Sequence, residues 1–246
     1  MMKNIKLVIA YDGTNYHGWQ VQKDKRTIQG TIELQLKKIT GENIRVIGSG
    51  RTDAGVHALN QVANFRTNSE LTPLQIKKAL NSLLPEDIYI KSAEYVPLEF
   101  HARYMAKSKI YEYRILNRPE PDIFTRKYHW HVIPKLDIEL MKKALSLLKG
   151  THDFSSFMSA GSSVKNPVRT IFKIDLYKDA DDLLRIVVEA NGFLRHMVRN
   201  IVGTVVQLGY GKISLEEFKD IFAARDRTVA GKKAPARGLF LVKVIY

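Results

Sequence analysis

Apolar and polar positions along the chain change period several times, and the changes mark out elements. Ile5–Tyr11 reads as a strand. Ile28, Ile32, Leu36 and Ile39 keep a helical period. Ile44–Ile47 and Ala58–Phe65 read as strands, the second alternating with Asn60, Gln61 and Asn64. Thr72 is the expected N-cap of a second helix, with Pro73 in the first turn and Gln75 completing a capping box. Ile76, Ala79, Leu80 and Leu83 form its apolar face, Pro85 ends it, and Ile88–Val96 is the next strand. The order β-α-β-β-α-β predicts a split, ferredoxin-like arrangement.

A second, longer block starts near Lys107. Strands fit Ile110–Leu116 and Tyr128–Ile133, and a helix fits Asp137–Lys149, closed by Gly150. Strands fit Ile171–Tyr177 and Leu184–Glu189. A helix runs from about Phe193 to Leu208, another opens with the capping box Ser214 and Glu217, and Leu239–Tyr246 is the last strand. The expectation is an α+β protein of two ferredoxin-like halves, residues 1–104 and 105–246, joined into a mixed, mainly antiparallel sheet. No low-complexity linker separates them.

The densest chemical signal is Gly48-Ser49-Gly50-Arg51-Thr52-Asp53-Ala54-Gly55-Val56-His57, between two predicted strands. Its glycines permit unusual backbone angles and close approach of another backbone. Asp53 falls at the apex, two residues from Arg51. An aspartate in a glycine-rich turn often only hydrogen-bonds its own backbone, so spacing alone leaves structural and functional readings level. The loop is not a dinucleotide fingerprint, because Asp53 occupies the third glycine position and a carboxylate there repels a pyrophosphate. Gly209-Tyr210-Gly211-Lys212 lacks the spacing of a P-loop.

Two further segments stand out. In Lys107–Arg114 basic and aromatic residues alternate, which puts Lys109, Tyr111 and Tyr113 on one strand face. Tyrosines there either stack on a base or lie half buried in an amphipathic strand. Around Asn191–Gly203, Phe193, Met197, Ile201 and Val205 form an apolar seam, and Arg195 and Arg199 are one turn apart on one helix face. An arginine on so apolar a helix either meets an anion such as Asp53 or reaches out to solvent. His129 and His131 read as surface or packing residues, without metal-ligand spacing.

Composition narrows the classes. The 246 residues carry 39 Lys+Arg against 25 Asp+Glu, a formal net charge of +14. A surface so positive attracts polyanions, nucleic acid first among them. The absence of cysteine excludes disulfides, thiolate nucleophiles and Cys-ligated zinc. No N-terminal run resembles a signal peptide, and no stretch approaches the ~20 apolar residues of a membrane span. A soluble, cytoplasmic protein is the expectation.

Taken together, these residues resemble the tRNA pseudouridine synthase A family. Gly50-Arg51-Thr52-Asp53-Ala54-Gly55-Val56-His57-Ala58 is similar to its signature. Tyr11-Asp12-Gly13-Thr14 and Tyr16-His17-Gly18-Trp19-Gln20 resemble its opening motif, and Phe100-His101-Ala102-Arg103 its segment before the Tyr111 strand. Thr151–Phe157, Phe193–Asn200 and Gly238-Leu239 resemble later motifs. The resemblance spans nearly the whole chain. It implies two α+β halves flanking a basic cleft, a homodimer that binds tRNA across both subunits, and isomerisation of uridines 38, 39 and 40 in the anticodon stem-loop. It implies Asp53 as nucleophile, with Tyr111, Arg51 and Arg199 around it. Tyr111, Leu239, His57, Arg195, Gly50 and Gly55 complete the expected substrate-binding set.

The chemistry agrees with that expectation. Breaking a glycosidic C–N bond, turning the uracil and rejoining it through carbon needs no redox cofactor and no nucleotide; no cofactor or metal is expected. It needs a carboxylate, which could attack the ribose anomeric carbon, remove a ribose proton or add to the uracil ring. An arginine against Asp53 would keep it ionised, Tyr111 could stack on the uracil and relay a proton, and Leu239 would offer an apolar wall. A stacked base must first be flipped out. A non-catalytic RNA-binding protein on the same scaffold explains the charge and the fold, but not a carboxylate within a basic cleft. A related synthase acting on ribosomal RNA would use the same residues.

Overall fold

A computed structural model describes residues 1–161 and 164–246. They form two compact units, Met1–Lys107 with Phe240–Tyr246, and Ser108–Leu239. The last strand therefore returns to the first unit rather than completing the second. A largely apolar run of seven residues needs a strand to pair with, and it finds one beside the Asp53 loop.

The first unit follows the expected order. It comprises β1 (Lys3–Tyr11), α1 (Ile28–Thr40), β2 (Ile47–Gly48), β3 (His57–Thr67), α2 (Pro73–Leu83) and β4 (Ile88–Val96). β1 lies between β4 and β3 and is antiparallel to both, and the short β2 pairs with β3. This is the ferredoxin-like strand order. α1 starts where Thr27 accepts from Gly30 N and stops at Gly41, whose φ of 75° a glycine adopts without strain. Ile28, Ile32 and Leu36 are fully buried, as are Ile5, Leu7 and Ile9 of β1. Each such side chain contributes roughly 1.5–3 kcal/mol by leaving water. α2 carries the predicted capping box in full. Ile44–Val46 does not form a strand. Its backbone instead meets polar side chains: Val46 N donates to Glu33 and Val46 O accepts from Gln29.

The second unit contains β5 (Ser108–Leu116), β6 (Trp130–His131), α3 (Ile138–Ser146), β7 (Gly150–Asp153), β8 (Val168–Lys178), β9 (Leu183–Ala190), α4 (Met197–Gly209) and α5 (Leu215–Ala223). Its sheet runs β5-β9-β8-β7, antiparallel throughout, with β6 parallel to β5 at one end. Gly150 does not close α3, which ends at Ser146 with Leu147 as its C-cap. With φ of 107° Gly150 opens β7, a strand the apolar pattern misses because Gly-Thr-His-Asp lacks alternation. α4 begins four residues later than the periodicity predicts. His196 turns the chain with φ of 66°, a left-handed conformation that no helix continues through.

The final strand, β10 (Leu239–Ile245), runs parallel to β3 in the first unit, with Phe240 opposite His57 and Leu241 opposite Ala58. Lys107 N donates to Ile245 O there.

Candidate active site

The Asp53 loop spans 49–56, between β2 and β3. Its main chain is fastened from both sides. On the sheet side, Ser49 N donates to Val62 O, Ser49 Oγ to Gln61 Oε1 at 2.6 Å, and Gln61 Nε2 to Gly50 O at 3.1 Å. On the other side stands the segment after β1. Trp19 N donates to Thr52 O at 3.0 Å and Gly55 N to Tyr16 O at 3.3 Å. Tyr11 Oη and Thr52 Oγ1 share a hydrogen bond of 2.8 Å. Burial pushes the Tyr11 hydroxyl up to about 12, against the pull of that bond. It therefore stays protonated and able to donate to Thr52 at physiological pH. Val56 N closes the turn on Asp53 O.

Two glycines allow this closeness. A Cβ on Gly13 would stand 2.0 Å from Val56 O, and one on Gly18 would stand 2.4 Å from Thr52 O and 3.0 Å from the Asp53 carbonyl carbon. Only hydrogen fits at either position. The segment Asp12–Trp19 is thus a mould for the loop. These residues entered the sequence reading only through a resemblance; the physical signal was the pair of glycines set five apart before a tryptophan.

Asp53 itself is half buried, Arg51 beside it is exposed, and Gly50 and Gly55 are half buried. His57 differs from its expected role as a substrate contact. It is 1% exposed, its ring stacks on Phe240 at 4.7 Å, and its Nδ1 lies 3.0 Å from Asp12 Oδ1.

In the second unit, Tyr111 and Tyr113 both face inward on β5, 8% and 0% exposed. The Tyr113 hydroxyl donates to Pro235 O at 2.8 Å, and burial raises its pKa well above the ordinary value despite Arg199 and Arg237 nearby. It is a packing residue. Tyr111 meets the ring of Phe193 edge to face at 5.0 Å. Arg199, in the first turn of α4, is 8% exposed, and its Nε donates to Ala234 O at 2.8 Å. Burial rules out the alternative in which it reaches to solvent. Gly203 lets the same helix press against Lys232 O, which a Cβ would approach to 1.8 Å. Arg195 is exposed and lies before α4 starts, so it does not share a helix face with Arg199. Leu239, 6% exposed, follows the turn in which Gly238 passes over the Tyr113 ring. His129 is buried rather than superficial, and burial lowers its pKa. No helix among the described residues is long and apolar enough to cross a membrane.

Comparison with known proteins matches these features to one family. The family model described as tRNA pseudouridine synthase matches residues 7–105 and 144–246. A tRNA pseudouridine synthase A of Thermoanaerobacter sp. (strain X514) is 51% identical over 245 residues, covering 100% of both chains. One from Acetivibrio thermocellus is also 51% identical over 245 residues with the same coverage. One from Geobacillus sp. (strain WCH70) is 49% identical over 247 residues, covering 100% of this chain and 99% of its own. Among solved structures, a Cbf5-Nop10-Gar1 complex aligns with 96% of this chain and 57% of its own, at 16% identity and a TM-score of 0.34, a likeness too slight to bear on function. The matched stretches contain the Asp53 loop, the mould that holds it, α4 and β10, and on that match the chain belongs to the tRNA pseudouridine synthase family.

Proposed function

We propose that this protein isomerises uridine to pseudouridine at positions 38, 39 and 40 in the anticodon stem-loop of tRNA, with Asp53 as the carboxylate on which the reaction depends. The observation that carries the reading is the Asp53 loop: a half-buried carboxylate on a turn whose backbone is fixed from two sides. Catalytic groups act best when little reorganisation is left to do at the moment of reaction.

In the reaction the N1–C1′ bond of uridine breaks and a C5–C1′ bond forms. C5 loses a proton and N1 gains one, so the sum is an isomerisation with nothing oxidised. Asp53 acts on the ribose or on the ring. Tyr111 stacks on the displaced uracil and its hydroxyl relays a proton. Arg199, buried on α4, supplies a fixed positive charge that favours an ionised carboxylate. Arg51, exposed beside Asp53, is suited to phosphate or to the space left by a flipped base. Leu239 keeps water from the detached ring. The net charge of +14 supplies affinity for the RNA backbone. The enzyme acts in the cytoplasm as a homodimer, one subunit holding the tRNA while the other reacts.

Loss of the C5 proton makes the test direct. Tritium from tRNA transcribed with [5-³H]uridine is expected to appear in water with this protein and not with Asp53→Asn, which keeps the side chain's volume. Release at a parental rate by Asp53→Asn would refute the assignment. For the dimer, Asp53→Asn subunits are mixed with subunits whose Asp53 is intact but whose basic surface is neutralised. Recovered activity in the hybrids is expected; a fully active monomer by sedimentation would refute a shared site.

A further inference from the structure

His57 stands four residues after Asp53, at the start of β3. Its imidazole is held on two sides. One face stacks on Phe240, with ring centres 4.7 Å apart and planes 24° from parallel. Its Nδ1 faces Asp12, 3.0 Å from Oδ1, with Gly13 N 3.1 Å from the same nitrogen. Nδ1 accepts from the Gly13 amide. The Gly13 amide and the Asp12 carboxylate thus meet the same edge of the ring, and two successive residues grip the imidazole.

Asp12 is in turn fixed by its own neighbours. Its Oδ1 accepts from Thr14 N at 2.9 Å and Thr14 Oγ1 at 2.6 Å, and its backbone N donates to Asp87 O. Between Asp12 and Asp53 there is thus a short rigid path. Asp12 holds His57, the next residue toward the loop is Val56, and Val56 N donates to Asp53 O while Val56 O rests on Gly13.

We infer that Asp12 and His57 are positioning residues for the isomerisation: together they fix the β3 end of the loop and so the placement of the Asp53 carboxylate. The inference rests on the reading of Asp53 given above. The histidine touches no substrate; at 1% exposure it has no open face to offer. Its effect passes through the backbone of residues 53–56. A misplacement of about 1 Å at a reacting group costs on the order of a hundredfold in rate, without a matching loss of binding.

The test is single-turnover tritium release beside tRNA affinity, on four single variants and one double variant. Asp12→Ala removes the partner, and His57→Phe keeps a ring on Phe240 but removes Nδ1. Both are expected to slow turnover by about tenfold to a hundredfold and to leave the tRNA Kd within about threefold. The double variant is expected to be no more than about threefold slower than the worse single, because the two residues act as one unit. Asp12→Asn still accepts from Thr14, and His57→Asn can place an amide oxygen near the Nδ1 position to accept from Gly13 N; both are expected to recover most of the rate. Parental rates in the first two variants, or losses that multiply in the double, would overturn the inference. If an alanine or phenylalanine variant fails to fold, the asparagine variants decide: a folded Asp12→Asn as slow as Asp53→Asn overturns it. Asp53→Asn, run alongside, separates the two readings. If it turns over, the carboxylate assignment itself is wrong; if it is inactive while Asp12→Ala and His57→Phe are fast, only the positioning role is lost.

Discussion

Asp53 and Asp122 both sit in turns of the kind that aspartate favours, yet the turns are fastened differently. Around Asp122 the carboxylate is the fastener. It accepts from Phe124 N at 2.8 Å, from Thr125 N at 3.2 Å and from Thr125 Oγ1 at 2.6 Å. Around Asp53 the backbone is fastened by other residues: by Trp19, Tyr11 and Tyr16 on one side, and by Ser49, Gln61 and Val62 on the other. Removing Asp122 should loosen its own loop, whereas the Asp53 loop keeps these backbone fastenings when the Asp53 side chain is changed. A loop whose backbone is pinned by other residues on both sides presents its acidic side chain from a fixed main chain.

The largest expected effect separates the two at once. Asp53→Asn should lower turnover by about 10³-fold or more with little change in thermal stability. A large drop in Tm would instead make Asp53 a structural turn residue. Next comes the mould. Gly18→Ala adds a Cβ at 2.4 Å from Thr52 O at a residue with φ of 87°, so the loop or the mould must shift. Turnover should fall by about a hundredfold and stability by roughly 1–3 kcal/mol, measured by denaturant titration. A variant as active as the parent would show that the close approach is incidental. Tyr111→Phe keeps the ring and its contact with Phe193. It should slow turnover by about a hundredfold and leave tRNA affinity within about twofold; equal rates would leave the hydroxyl without a chemical role.

The smallest effect belongs to Asp122. The Thr125 hydroxyl, followed by the amides of Phe124 and Thr125, holds its carboxyl below the usual range. A carboxyl whose folded pKa is depressed stabilises the protein above its unfolded pKa, and that stability is lost as pH falls through the folded value. Asp122→Asn should therefore lack a small increment that the parent loses on acidification below about pH 4, with turnover within about twofold of parental. Thermal scans at pH 7 and pH 3 check both. A variant that lost activity would show that this turn, too, serves the reaction.

Much of the fold is legible in the chain because local and tertiary signals agree. The boxes Thr72–Gln75 and Ser214–Glu217 start α2 and α5 as expected, since a cap depends only on residues three apart. Ile88–Val96 forms with the predicted ends. The misses are where tertiary contacts decide. β7 pairs with β8 despite having no apolar alternation, and α4 waits for the left-handed turn at His196. At the site, Asp53 is legible from its glycines, but the role of the residues that hold it is not. Nothing local in Asp12–Trp19 says that it packs against residues 52–56, some 40 positions away. For the same reason His57 reads as a substrate contact from its place in the motif, while the structure buries it against Phe240 and Asp12.

The claim that this protein makes pseudouridine in the anticodon arm is tested most directly by mapping pseudouridine in total cellular RNA with the protein present, removed, and restored as parent or as Asp53→Asn. The account predicts that pseudouridines at tRNA positions 38 to 40 disappear on removal, return with the parent protein and do not return with Asp53→Asn, while ribosomal RNA is unchanged. Sites restored by Asp53→Asn, or losses confined to ribosomal RNA, would contradict it.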